Sequence, residues 1–248
     1  MEIKNLTSKI ELCMGIFIVI CAFLLSRKDV FPVNSLPASV CITIDAGHGG
    51  SDPGKIGINH AKEKDINLVI AKKLKDVLAA NGVKVIMTRE SDHGLYSDDT
   101  INKKVEDMQK RCQIISDSDS LFTISIHQNS YPTSDIRGAQ VFYYGQSEKG
   151  KLLAETLQHS LVTLVDPDNH RQAKANESYY LLKKTPTPTV IVECGFLSNP
   201  EEADLLLQDE YQDKIVAAIY SGIQTYLRQE MPESLSTESD QNLNTATP

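Results

Sequence analysis

Apolar positions along the chain follow two rhythms. Short β-branched runs, Val40 to Ile44, Val83 to Thr88, Leu121 to Ile126 and Thr189 to Val192, read as buried strands. Between them apolar residues recur at three and four. One such stretch starts near Glu63 and runs through Ile66, Ile70, Leu74 and Leu78; another covers Asp99 to Asp117 through Ile101, Val105, Met108, Cys112 and Ile115. Lys151 to Val165 and about Tyr211 to Leu227 read the same way. Asn81-Gly82 stops the first helix, and Pro200 with Glu201 and Glu202 opens a short one. Gly138 to Tyr144 and Ser178 to Leu182 are expected as further strands, with a rigid Thr185-Pro186-Thr187-Pro188 loop before the last. Strand, helix, strand alternation predicts parallel pairing. The expected fold class is α/β: a single domain with a mostly parallel or mixed central sheet flanked by helices on both faces.

The same patterning divides the chain. Residues 1–11 carry Lys4 and Lys9, and residues 12–25 are apolar without a charge, the layout of a signal or a short membrane anchor. That run is shorter than the about 20 residues of a full span. Arg27 and Lys28 follow it directly, which favours an uncleaved anchor as much as a cleaved signal. Residues 26–39 turn to Pro, Asn and Ser and read as a linker, residues 40–229 as the folded domain, and residues 230–248 as a disordered polar tail.

Composition narrows the class. At 248 residues and 41% hydrophobic content the chain suffices for one sizeable core. A net charge of -8 without a Lys/Arg run excludes a nucleic-acid partner, which needs a concentrated basic face. The cysteines at 13, 21, 41, 112 and 194 form no C-x-x-C pair or regular framework, so neither a zinc ribbon nor a disulfide scaffold is indicated. The chain holds no G-x-S-x-G elbow, Walker loop or G-x-G-x-x-G fingerprint. Cys194 alternates away from Glu193 in an extended run and reads as a buried small hydrophobe rather than a nucleophile.

Three strands run into chemistry-bearing residues. Val40 to Ala46 breaks into Gly47-His48-Gly49-Gly50, whose glycines leave room for a metal ion or substrate beside the imidazole. Leu121 to Ile126 ends at His127, and Thr189 to Val192 ends at Glu193. Strand ends of an open α/β sheet converge on a crevice. Two histidines and one carboxylate are a recurring catalytic-zinc ligand set, and a further glutamate suits a general base. Spacing does not fix which carboxylate does which job. Glu63, at a helix start, stays ionised as a ligand should; Glu193, after an apolar strand, suits a proton shuttle. His60 competes as a ligand from a polar loop, while His93, His159 and His170 read as surface or core residues.

Four motifs in order, Asp45-Ala46-Gly47-His48-Gly49-Gly50, Glu63-Lys64-Asp65-Ile66-Asn67-Leu68, Ser125-Ile126-His127-Gln128-Asn129 and Val192-Glu193-Cys194-Gly195-Phe196-Leu197-Ser198-Asn199, resemble the zinc-dependent N-acetylmuramoyl-L-alanine amidases. The resemblance covers about residues 40 to 228. Ala46 stands where that family often has proline and Cys194 where it has another residue; neither is a proposed ligand. Arg137 to Tyr144, Arg171-Gln172-Ala173-Lys174 and Tyr179 to Lys183 are similar to the germination-specific spore-cortex branch.

The resemblance implies that His48, Glu63 and His127 bind Zn²⁺ and that Glu193 is the catalytic acid/base. The implied substrate is peptidoglycan, cut between N-acetylmuramic acid and L-alanine, in spore-cortex maturation through muramic lactam formation needed for germination. Asp45 and Asn129 are expected to hold the second nitrogens of the two histidines. The implied location is the cell envelope, exported or membrane-anchored through the N-terminal segment, and in a spore former the space between the forespore membranes. A lipoprotein or other protein is left open as an activating partner. Rival readings are a general cell-wall amidase of growth or division, a zinc hydrolase of another amide or ester, and a non-catalytic peptidoglycan-binding module.

Overall fold

The computed structural model describes residues 40–231. The expected N-terminal anchor, the linker, and the tail beyond Met231 lie outside the described residues. Among these, no helix is long and apolar enough to cross a membrane.

Six strands form one sheet: β1 (Cys41–Ala46), β2 (Lys84–Met87), β3 (Phe122–Asn129), β4 (Gln140–Tyr143), β5 (Lys174–Ala175) and β6 (Thr189–Phe196). Their order is β2-β1-β3-β6-β4-β5. β2, β1, β3 and β6 are mutually parallel, whereas β4 runs antiparallel to β6 and carries the two-residue β5. The helices are α1 (Glu63–Ala80), α2 (Lys103–Asp117), α3 (Glu148–Leu164), α4 (Tyr180–Lys184), α5 (Pro200–Leu205) and α6 (Asp209–Glu230). The mixed sheet flanked by helices is the architecture the periodicities predict.

Strand alternation gives the sheet two unlike faces. Ile42, Ile44 and Ala46 of β1, Phe122, Ile124 and Ile126 of β3, and Val190, Val192 and Cys194 of β6 join the main core with α1, α3 and α6. The alternate positions, Thr43 and Asp45, Thr123, Ser125 and His127, and Ile191 and Glu193, lie on the other face, toward α2 and α4. Among the described residues, only small apolar clusters cover that face, around Cys112, Ile115 and Leu181 and around Phe142, Leu182 and Ile191. A parallel sheet is ordinarily apolar on both sides. Here one side is polar, and register sets His127 directly beside Glu193.

Some elements differ from expectation. α2 starts at Lys103 rather than Asp99, because the Asn102 side chain accepts from Val105 N and caps the helix there, leaving Ile101 fully exposed. Ser178 to Leu182 is not a strand. Asn176 Oδ1 accepts from the backbone of Ser178 and Tyr179, turning the chain into the short helix α4, whose Leu181 and Leu182 are buried. His127 and Glu193 lie within their strands rather than after them, and α6 extends to Glu230, into the stretch expected as tail.

Candidate metal centre

His48 leaves β1 in a left-handed conformation, φ 62°, followed by Gly49 and Gly50, both also at positive φ. This turn carries the imidazole back over the sheet edge toward α1. Glu63, the first residue of α1, is buried, and its carboxylate is shared by both histidines: Oε1 lies 3.2 Å from His48 Nε2 and 2.9 Å from His127 Nδ1. The two rings meet edge to face, with centroids 5.0 Å apart. Lys55 N donates to Glu63 Oε2 and Gln128 N to Oε1, so the acid is fixed in place. Burial raises the Glu63 carboxyl, but the hydrogen bonds and positive character of His127 and His48 outweigh it and hold it well below the usual range.

The donor set fits a cation. His48, Glu63 and His127 place one ligand atom each within 4.8 Å of one another. Both imidazole nitrogens converge on one carboxylate oxygen, and imidazole with carboxylate is a donor set suited to a transition-metal cation. Glu193 lies on the neighbouring strand and in the same cleft, of about 760 Å³. It is buried, and its Oε2 has no hydrogen-bond partner among the described residues. Burial pushes its carboxyl up to about 7, with the Glu63 charge adding to the rise against the histidines.

The surroundings revise two expectations. Asp45 does not hold a histidine: it accepts from Arg111, Thr88 and Ser125. Asn129 Oδ1 instead accepts from Ser130 N. The partner of His48 Nδ1 is Asp52 Oδ2, at 2.9 Å, which leaves Nε2 directed at Glu63. The only signal for Asp52 in the sequence is an acid four residues after the histidine, in a Gly-Ser-Asp-Pro-Gly turn. Gly47 serves otherwise than expected, and Gly54 serves in the same way. A Cβ on Gly47 would sit 2.3 Å from the His127 ring, and one on Gly54 2.6 Å from Glu63 Oε2 and 2.8 Å from His48 Cδ2. Their open space is filled by the protein's own donor side chains. His60, exposed in its loop, is not among the clustered donors.

Residues 42–225 match the N-acetylmuramoyl-L-alanine amidase family. The chain belongs to that family. As an amidase it is a hydrolase of the muramoyl–L-alanine amide of peptidoglycan, in a family that is metal-dependent. It is 40% identical over 205 residues to the germination-specific N-acetylmuramoyl-L-alanine amidase of Bacillus subtilis, covering 81% of this chain and 86% of that protein. Over 189 residues it is 33% identical to the N-acetylmuramoyl-L-alanine amidase LytC of the same organism, covering 75% of this chain and 35% of LytC. Among solved structures, the CwlD amidase of Clostridioides difficile in complex with the GerS lipoprotein superposes with a TM-score of 0.74. That amidase is 43% identical, with 76% of this chain and 98% of that one covered.

Proposed function

We propose that this amidase uses Zn²⁺ held by His48, Glu63 and His127, with Glu193 as its general base, and that it acts in the spore cortex. The observation carrying this reading is the pairing of opposites in one cleft. One buried glutamate is held ionised between two imidazoles, and a second, Glu193, is buried, unpartnered and raised to about 7. A carboxylate with its pKa near the working pH is suited to accept and return a proton. A bound Zn²⁺ would supply Lewis-acid polarisation of the scissile carbonyl and acidify an attacking water. Glu193 would take a proton from the attacking water as its oxygen bonds to the scissile carbonyl carbon, and would pass it to the departing amine of L-alanine as the C–N bond breaks. Asp52 holds the His48 ring through Nδ1 so that Nε2 stays available.

The cortex role rests on the likeness to the germination-specific amidase, which extends over most of both chains. Removing peptides from muramic acid would free those sugars for conversion to the lactam. The solved relative that carries a lipoprotein supports a protein partner for this amidase as well. Export, with the apolar N-terminal segment as signal or membrane anchor, supplies access to peptidoglycan.

Mass spectrometry of peptidoglycan digested with the full chain, with and without chelator, tests the reading. Expected is release of stem peptides with a free L-alanine amine, lost on chelation. Chelator-insensitive release, or cleavage at a glycosidic bond, refutes it.

A further inference from the structure

Three consecutive carbonyls of the histidine loop are gripped by two buried guanidiniums. Arg111 of α2 donates from Nη1 to Ala46 O at 2.8 Å and from Nη2 to His48 O at 2.6 Å. Arg89, just past β2, donates from Nε to Ala46 O at 2.8 Å and from Nη2 to Gly47 O at 3.0 Å and to Lys64 O at 2.8 Å. Arg111 is itself fixed from both sides, by Asp107 Oδ2 on its Nε and by Asp45 Oδ1 on its Nη1, each at 2.6 Å. It is 1% exposed. The carbonyl it grips belongs to the one residue of the turn that has a side chain in the left-handed region, a conformation kept only where surroundings impose it.

We propose that Arg111 is a positioning residue of the metal centre: through the His48 carbonyl it holds the left-handed turn that aims the His48 imidazole at Glu63 and His127. The proposal rests on His48 being a metal ligand. Geometry explains why arginine stands here. Ala46 O, His48 O and the Asp45 and Asp107 carboxylates are reached together by a planar fork, whereas the single ammonium of lysine cannot span them. Arg89 secures the first two carbonyls but not that of His48, so the two arginines are not redundant.

The test uses the full chain and Zn²⁺ itself, titrated against a competing chelator, with the visible absorption of the Co²⁺-loaded protein as a second readout. The comparison variant is Leu157→Ala, a buried site on α3 that destabilises without touching the loop. Arg111→Lys is expected to weaken Zn²⁺ binding about tenfold or more, as loss of an outer support does, and to change the Co²⁺ bands. Leu157→Ala, with a comparable fall in melting temperature, is expected to stay within about twofold of the parent. Unchanged affinity and bands in Arg111→Lys, or equal weakening in both variants, overturns the proposal. If Arg111→Lys does not fold, Asp107→Asn, which removes the charge that fixes Arg111 Nε, is judged by the same two criteria. His48→Ala separates the underlying reading: it should lose Zn²⁺, and full retention would remove the ligand assignment on which the proposal stands.

Discussion

Arg111 and Asp45 form an ion pair sealed from solvent, Nη1 donating to Oδ1 at 2.6 Å with both side chains 2% exposed. The pair joins α2 to the end of β1, one step before the loop that carries His48. Burying two charges is costly unless each is fully hydrogen-bonded. Here Asp45 also accepts from Thr88 and Ser125, and Arg111 donates to Asp107, Ala46 and His48.

This pair predicts the acid limb of stability. Burial alone would raise the Asp45 carboxyl, but Arg111 and the Ser125 and Thr88 hydroxyls hold it down at about 2. A depressed acid contributes its stability above the unfolded value near 3.9 and loses it as pH falls through the folded value. The contribution, about 2–3 kcal/mol, is therefore complete at neutral pH and lost between about pH 4 and 2. Asp45→Asn leaves buried Arg111 with Asp107 as its remaining charge partner and should cost about 1.5–3 kcal/mol at pH 7, the loss of one charged hydrogen bond. Urea unfolding from pH 7 to pH 2 checks both effects: a lower midpoint at neutral pH and a flatter acid limb. An unshifted midpoint would show that the pair contributes nothing.

The buried strands and the Glu63 helix were legible because their apolar rhythms agree with their burial. His48, His127 and Glu193 were legible because each interrupts or ends such a run. Arg111 and Arg89 were not. A single charge in an amphipathic helix or a polar loop has the same pattern whether it faces water or points inward, and only the fold decides. Asp52 was hidden for a related reason: an acid in a Gly-Pro turn is ordinary turn chemistry. Tyr179-Tyr180-Leu181-Leu182 misled because its aromatic and apolar composition suits a strand, while the Asn176 side chain imposes a turn just before it.

Gly47 offers a steric test. Its added Cβ would lie 2.3 Å from Nε2 and Cε1 of His127, so the ring has to move. Gly47 is not in the left-handed region, so alanine adds no backbone strain of its own. Gly47→Ala is expected to lower Zn²⁺ affinity about tenfold or more while the protein stays folded. Elemental analysis alongside far-UV circular dichroism checks this. Full occupancy in the alanine variant would mean that His127 does not need its present position to bind.

The competing histidines separate cleanly. His127→Ala removes one of the three clustered donors and should abolish stoichiometric metal. His60→Ala removes an exposed loop side chain and should leave metal content and activity at parent levels. Loss of metal in the His60 variant would place the cation elsewhere than between His48, Glu63 and His127.

Glu193→Gln tests base and stability together. The amide keeps the shape of the side chain but cannot accept a proton, so peptide release from peptidoglycan should fall by at least about 100-fold with metal near one equivalent. The stability of the metal-free protein should move the other way. Burial raises the Glu193 carboxyl to about 7, above an unfolded value near 4.3, so ionisation costs the native state stability. That cost is absent below about pH 4, grows between about 4 and 7, and is complete above 7. The glutamine variant should therefore match the parent at low pH and exceed it at pH 8 in thermal unfolding of the metal-free protein. Retained activity would remove Glu193 from the chemistry. A variant less stable than the parent at pH 8 would mean that the carboxylate has found a partner for the oxygen left unpaired in this structure.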